Sequence, residues 1–208
     1  MPSPIGHAIA GAATVWLADL VRGPRDTRLS PTRAEPSPPG ISRWITASAL
    51  AGAALAMTPD LDYLAGAHRL QTHSLGAAIL VAAVVWLVVR ARGGPAVVAA
   101  LTAGASYGSH LLLDWLNGDS GLMLFWPLTS SMHSAPVEMF LMPTFEYWHP
   151  VRFLLVNTLY VGWEVVVIGT PALVIGWLRA RAFTRGPSAR RATRDRDVTE
   201  LDLRPSLD

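Results

Sequence analysis

Four short stretches of this 208-residue chain carry side chains that can hold a metal ion or move a proton. His7 stands near the N-terminus. MTPDLD (57–62) holds Asp60 and Asp62, AHRLQTHS (67–74) holds His68, Arg69 and His73, and SHLLLDW (109–115) holds His110 and Asp114. Residues four apart share a helical face, so the His110 imidazole and the Asp114 carboxylate can point at one ion. Taken alone, that pair is a weak signal, and Pro59 followed by aspartate also reads as a helix stop with a turn or cap. The company the pair keeps raises its weight. His7, Asp60, Asp62, His73, His110 and Asp114 offer six nitrogen or oxygen ligands, more than one four-coordinate zinc uses.

Two ions bridged by an aspartate would engage all six, and two-metal sites suit phosphoester hydrolysis. Asp60 is the expected bridging ligand. Asp62 is either a ligand or the acceptor that orients a histidine. Water on the metal, its pKa lowered toward neutrality, would be the nucleophile. The planar fork of Arg69 matches two oxygens of a phosphate or other anionic group. His68 reads as a general acid, a further ligand or a solvated loop histidine. The predicted catalytic set is therefore Asp62, His68 and Arg69, beside a divalent metal: zinc, with manganese or iron equally suited to mixed His and Asp ligands.

These residues must be positioned by apolar segments. The chain is 51% hydrophobic and 15% charged, with a mean hydropathy of +0.33, more apolar than an average soluble domain. It has no Cys, which excludes disulfides and thiolate chemistry, and all 17 of its basic residues are Arg. Five segments approach membrane-spanning length: 5–21, 41–57, 74–89, 95–113 and 151–178. The first three sit at or just under the roughly 17-residue lower limit. Gly169 and Pro171 are candidate kinks in the fifth, and Glu164 is its one internal charge, to be paired in the bundle or with headgroups. The expected fold is all-α, a polytopic transmembrane bundle of about five helices over residues 1–178. Residues 22–43, rich in Arg and Pro, read as a flexible linker, and 179–208 as a basic, disordered tail.

Arginine sets the expected orientation. Linker 22–43, the Arg90/Arg92 turn and the tail fall on one side of a five-span topology and hold all but Arg69 and Arg152. Positive charge collects in short cytoplasmic loops, so the C-terminus is predicted inside and the N-terminus outside an inner (cytoplasmic) membrane. The His and Asp residues then gather at the extracytoplasmic face. No nucleic-acid partner is indicated, because the basic residues lie in linkers between hydrophobic runs. The basic tail is suited to anionic lipid. Residues 115–150 are rich in aromatic side chains and Met, as expected at headgroup level. Within them His133, Glu138, Glu146 and His149 read as interfacial polar residues, and Asn117 and Asp119 as a turn around Gly118.

M-x-P-D-L-D, H-R-x-x-T-H-S and S-H-L-L-L-D-W behind a near-terminal histidine resemble the motifs of the bacterial YdjM-type family of membrane-bound, predicted metal-dependent hydrolases. The resemblance covers residues 1 to about 127, including Gly118 and Phe125-Trp126-Pro127. It implies a metal site like that of zinc-dependent phospholipase C and P1 nuclease, with one to three ions. The implied ligands are His7, Asp60, His73, His110 and Asp114, with Asp62 and Arg69 as further motif residues; the expected phosphoester or phospholipid-like substrate follows from the two-metal reading of the residues and not from the family. This chain departs from the family pattern in having Gly6-His7 where many members have Thr-His, and in linker 22–43, which looks like an insertion.

Overall fold

A computed structural model describes residues 2–26, 44–66, 68–118, 121–141, 143–144 and 146–183. Most of the predicted linker (27–43), Asp119 and the tail beyond Phe183 lie outside the described residues. Among those described, the fold is all-helical, with one isolated bridge between Leu122 and His133. The α-helices are α1 (Pro4–Asp26), α2 (Ala47–Met57), α3 (Leu75–Ala91), α4 (Ala96–Leu116) and α5 (Pro150–Glu164). Short 3-10 helices (Pro59–Ala65 and Gln71–His73) link α2 to α3.

Helix lengths depart from expectation in three places. Helix α1 runs on past Val21 to Asp26, with a break at Gly23, whose φ of 70° a side chain would disfavour. The second segment is helical only from Ala47, because Thr46 adopts an extended conformation and its hydroxyl accepts from the Ala49 N–H. Eleven residues rise only about 16 Å, so α2 falls well short of a 30 Å hydrocarbon core. The fifth segment forms one helical stretch of 34 residues, Pro150–Phe183. Pro171 lacks an N–H and crowds the carbonyl four residues back, and the helix accommodates it with a π-helical turn over Val165–Gly169. Among the described residues, three helices are long and apolar enough to cross a membrane: Pro4–Gly23, Ala96–Leu116 and Pro150–Phe183. The 17-residue α3 sits at the lower limit.

Small residues bring the helices together. A Cβ on Gly11 of α1 would stand 2.3 Å from the Gly52 carbonyl oxygen and 2.6 Å from Ala56 Cβ of α2. This is the close, small-residue approach that membrane helices use where no hydrophobic effect drives them together. His7 meets Asp114, and Arg22 meets Thr102, so α1 and α4 are antiparallel. Ser3 meets Glu164 and Asp19 meets Arg179, so α1 and α5 run parallel. The ends of α1 to α4 that carry His7, Asp60, His73 and Asp114 thus converge, and Arg22, Arg90, Arg92 and Arg179 lie at the other end. That end is about 25 Å away along α3.

Glu164 pairs inside the bundle. It is 2% exposed and accepts from the Ser3 N–H (2.5 Å) and the Ser3 hydroxyl. The same Ser3 hydroxyl accepts from the Gly6 N–H, so this carboxylate pins the first turn of α1, where His7 begins the site.

Candidate metal centre

The 3-10 turn after α2 starts at Pro59, whose fixed φ suits a helix start, and ends at Gly66 in the left-handed region (φ 71°). It projects Asp60 and Asp62 beneath the bundle. His73 closes the second 3-10 turn, and Ser74 then caps α3 by accepting from the Ala77 N–H. His110 and Asp114 lie one turn apart on the buried face of α4. His7, His73 and His110 are each fully buried, and Asp114 is 2% exposed.

Hydrogen bonds fix the two central imidazoles. His110 Nδ1 lies 2.7 Å from the Ala56 carbonyl oxygen, an acceptor only, so Nδ1 carries the proton and Nε2 presents a lone pair. His73 Nδ1 lies 3.2 Å from Asp62 Oδ2 and 3.0 Å from Thr72 Oγ1, whose own proton goes to Asp62 at 2.7 Å. The His73 proton therefore also sits on Nδ1. The two bare Nε2 atoms face each other at 3.1 Å. Around them stand Asp60 Oδ1, 3.5 Å from both, and Asp114 Oδ2, 3.6 Å from both. Two lone pairs and two carboxylate oxygens pointed at one another repel unless a cation lies between them.

The spacing suits one. Four ligands at about 2.0–2.2 Å from a tetrahedral centre lie about 3.3–3.6 Å from each other. Asp60 Oδ1 and both oxygens of Asp114 are buried without a hydrogen-bond partner, the pattern a metal site leaves when described by its protein atoms. The Asp60, His73, His110 and Asp114 cluster could thus hold a metal ion.

His7 joins from the other side. Its Nε2 is 3.3 Å from Asp114 Oδ1, and its ring stacks on His110 with centroids 3.7 Å apart. The carboxylate whose two oxygens face different groups is thus Asp114, whereas only Oδ1 of Asp60 faces the two central histidines.

Asp62, His68 and His73 form a second group around the first. Asp62 Oδ1 binds His68 Nδ1 at 3.1 Å, and the His68 ring stacks on Tyr63 at 4.0 Å. His68 is therefore tied into the site. Asp62 orients His73, the second of the two roles the sequence leaves open for it. Replacing Asp62 with alanine is expected to weaken metal binding about 10- to 100-fold, as loss of such outer carboxylates does. Competition with a chromophoric chelator measures this, and unchanged affinity would contradict the role. Arg69, the expected clamp for an anionic group, is only 5% exposed. It adopts a φ of 63°, uncommon for a non-glycine residue, and its carbonyl accepts from the Met123 N–H.

Other supports escape local reading. Tyr107, one turn before His110, donates to the Thr72 carbonyl at 2.6 Å and so steadies the loop that orients His73. Thr72 could be suspected from its place beside His73. Nothing in the local pattern marks the Ala56 carbonyl. Among the late-loop residues, His133 packs edge-on against Phe125 and Glu146 pairs with Arg152 at 2.8 Å. Neither falls in the ion-binding groups among the described residues.

The site opens past Asp60 and His68, whose side chains are each 19% exposed. Leu61, Tyr63 and Leu64 are strongly exposed on this 3-10 turn, Leu64 at 88%. The chain matches the family described as YdjM inner membrane protein over residues 1–185. No curated protein and no solved structure matches it.

Proposed function

The chain belongs to the YdjM inner membrane protein family, and from that premise we propose that it is a membrane-embedded, metal-dependent hydrolase of phosphoesters. One observation carries the reading: the Nε2 atoms of two buried imidazoles lie 3.1 Å apart, and two carboxylate oxygens from Asp60 and Asp114 each lie 3.5–3.6 Å from both. Asp60, His73, His110 and Asp114 would hold the ion, with His7 completing or neighbouring the shell. When bound there, a divalent ion such as zinc would lower the pKa of a water toward neutrality and would polarise an oxygen of the substrate. Asp62 keeps the His73 lone pair aimed inward. His68, held by that carboxylate at the partly exposed mouth, passes the proton to the leaving oxygen. Arg69 supplies positive charge for an anionic substrate.

Two features favour a lipid-like substrate. The mouth is edged by Leu61, Tyr63 and Leu64. The segment over the helix ends exposes Phe125, Trp126, Leu128 and Met132, which suits headgroup depth. With the arginines at the far end, the site faces the extracytoplasmic side of the inner membrane.

The test is hydrolysis of bis-p-nitrophenyl phosphate and of phospholipid in mixed micelles. Turnover that chelation abolishes and zinc or manganese restores is expected. Bound metal without turnover on either would leave a non-enzymatic metal-binding or transport protein.

A further inference from the structure

We infer that Asn117 is a substrate-binding residue whose side-chain amide donates a hydrogen bond to an oxygen of the phosphoryl group at the metal centre. The inference rests on the hydrolase reading and assigns a role to a residue that the sequence suggests is an ordinary turn. Asn117 is 1% exposed, and neither its Nδ2 nor its Oδ1 has a hydrogen-bond partner among the described residues. A carboxamide brings two donors and two acceptor sites, and burying it unsatisfied is unfavourable. Such a group in a folded protein calls for an explanation.

Its direction follows from α4. Asn117 caps the helix in helical conformation (φ −74°, ψ −21°), with its N–H bonded to the Asp114 carbonyl. It stands seven residues after His110 and three after Asp114, so all three share one face. Residues three apart on a helix have Cβ atoms about 5–6 Å from each other. Helical side chains also lean toward the N-terminus, here toward Asp114. The chain near Val137 packs against this end of the helix. Gly118 has a φ of 73°, and a Cβ there would meet the Val137 carbonyl at 2.7 Å, while the Met139 N–H bonds back to the Leu116 carbonyl.

The chemistry of the orphaned atoms separates two ligands. The lone pairs of His7, Asp60 and Asp114 are accounted for by a cation. The amide Nδ2 has no lone pair to give a cation, whichever way round the amide lies. Beside a metal centre, it is matched by an oxygen anion that the metal also binds, as in a phosphoryl group.

The probe is inorganic phosphate, titrated calorimetrically into protein loaded with zinc and freed of excess metal. Asn117→Ala and the apolar near-isostere Asn117→Leu should keep the zinc stoichiometry of the parent and bind phosphate about 10- to 100-fold more weakly, the range for a hydrogen bond to a charged group. Asn117→Leu separates binding from folding, because it fills the space and removes the need for a partner. If both variants bind phosphate as the parent does, a buried water satisfies the amide and the inference falls. If either loses zinc while still folded, Asn117 serves the metal and the inference again falls. A zinc-loaded parent that binds no phosphate overturns this inference together with the hydrolase reading, whereas equal binding by parent and variants overturns the inference alone.

Discussion

Replacing His110 with alanine is expected to remove the metal and most of the stability that the metal confers. Its Nε2 lies against His73 Nε2, Asp60 and Asp114, and its Nδ1 against the Ala56 carbonyl, in a fully buried position. Alanine would leave a cavity, an unsatisfied carbonyl and two carboxylates without their cation. An ion held at about 1,000 times its Kd stabilises the folded state by about 4 kcal/mol. Chelation of the parent should therefore reproduce a large part of the loss. In His110→Ala, chelation should change nothing further, the non-additivity expected of two routes to one effect. Thermal unfolding in detergent with and without chelator measures all four states. If His110 only caps helices, the parent would be indifferent to chelator and the variant's loss would stay the same in its presence.

Gly11→Leu is the second large effect, and it acts without touching a ligand. The position has no room, since even the first carbon would stand 2.3 Å from the backbone oxygen of Gly52. No side-chain rotation relieves a clash with backbone, so α1 and α2 must separate. His7 lies one turn before Gly11, and Asp60 lies one turn after Ala56, so separation also pulls the two sides of the site apart. The expected cost is at or above the roughly 1–3 kcal/mol of ordinary overpacking, with lowered metal content. Gly108→Ala supplies the control, because a Cβ there meets nothing within 4 Å. It should be neutral or stabilising by up to about 1 kcal/mol, since alanine favours helix over glycine. Comparable losses in both variants would contradict the packing account.

The sequence carried the helices and the cluster because both are local patterns. Apolar runs mark α1, α3, α4 and the long stretch through α5. The H-x3-D spacing places His110 and Asp114 together on a helix whatever the tertiary structure does. The features it concealed depend on distant partners. Glu164 is held by Ser3, 161 residues away, and no local pattern connects them. The shortness of α2 turns on one cap at Thr46, which an apolar run from 41 obscures. Asn117 looks like a turn residue because its burial is created by the chain near Val137 folding back over it. Arg69 looks exposed between two histidines, yet its carbonyl is engaged by Met123, more than fifty residues on.

The central claim is that four side chains from three separate stretches of chain hold an ion. Elemental analysis by mass spectrometry of protein purified in detergent, after expression with zinc and manganese supplied, tests it most directly. The account predicts about one tightly held ion per chain or more, reduced to background in His73→Ala and in Asp114→Ala, the two variants being compared only where they remain folded. A folded parent with a stoichiometry near zero under those conditions would contradict it.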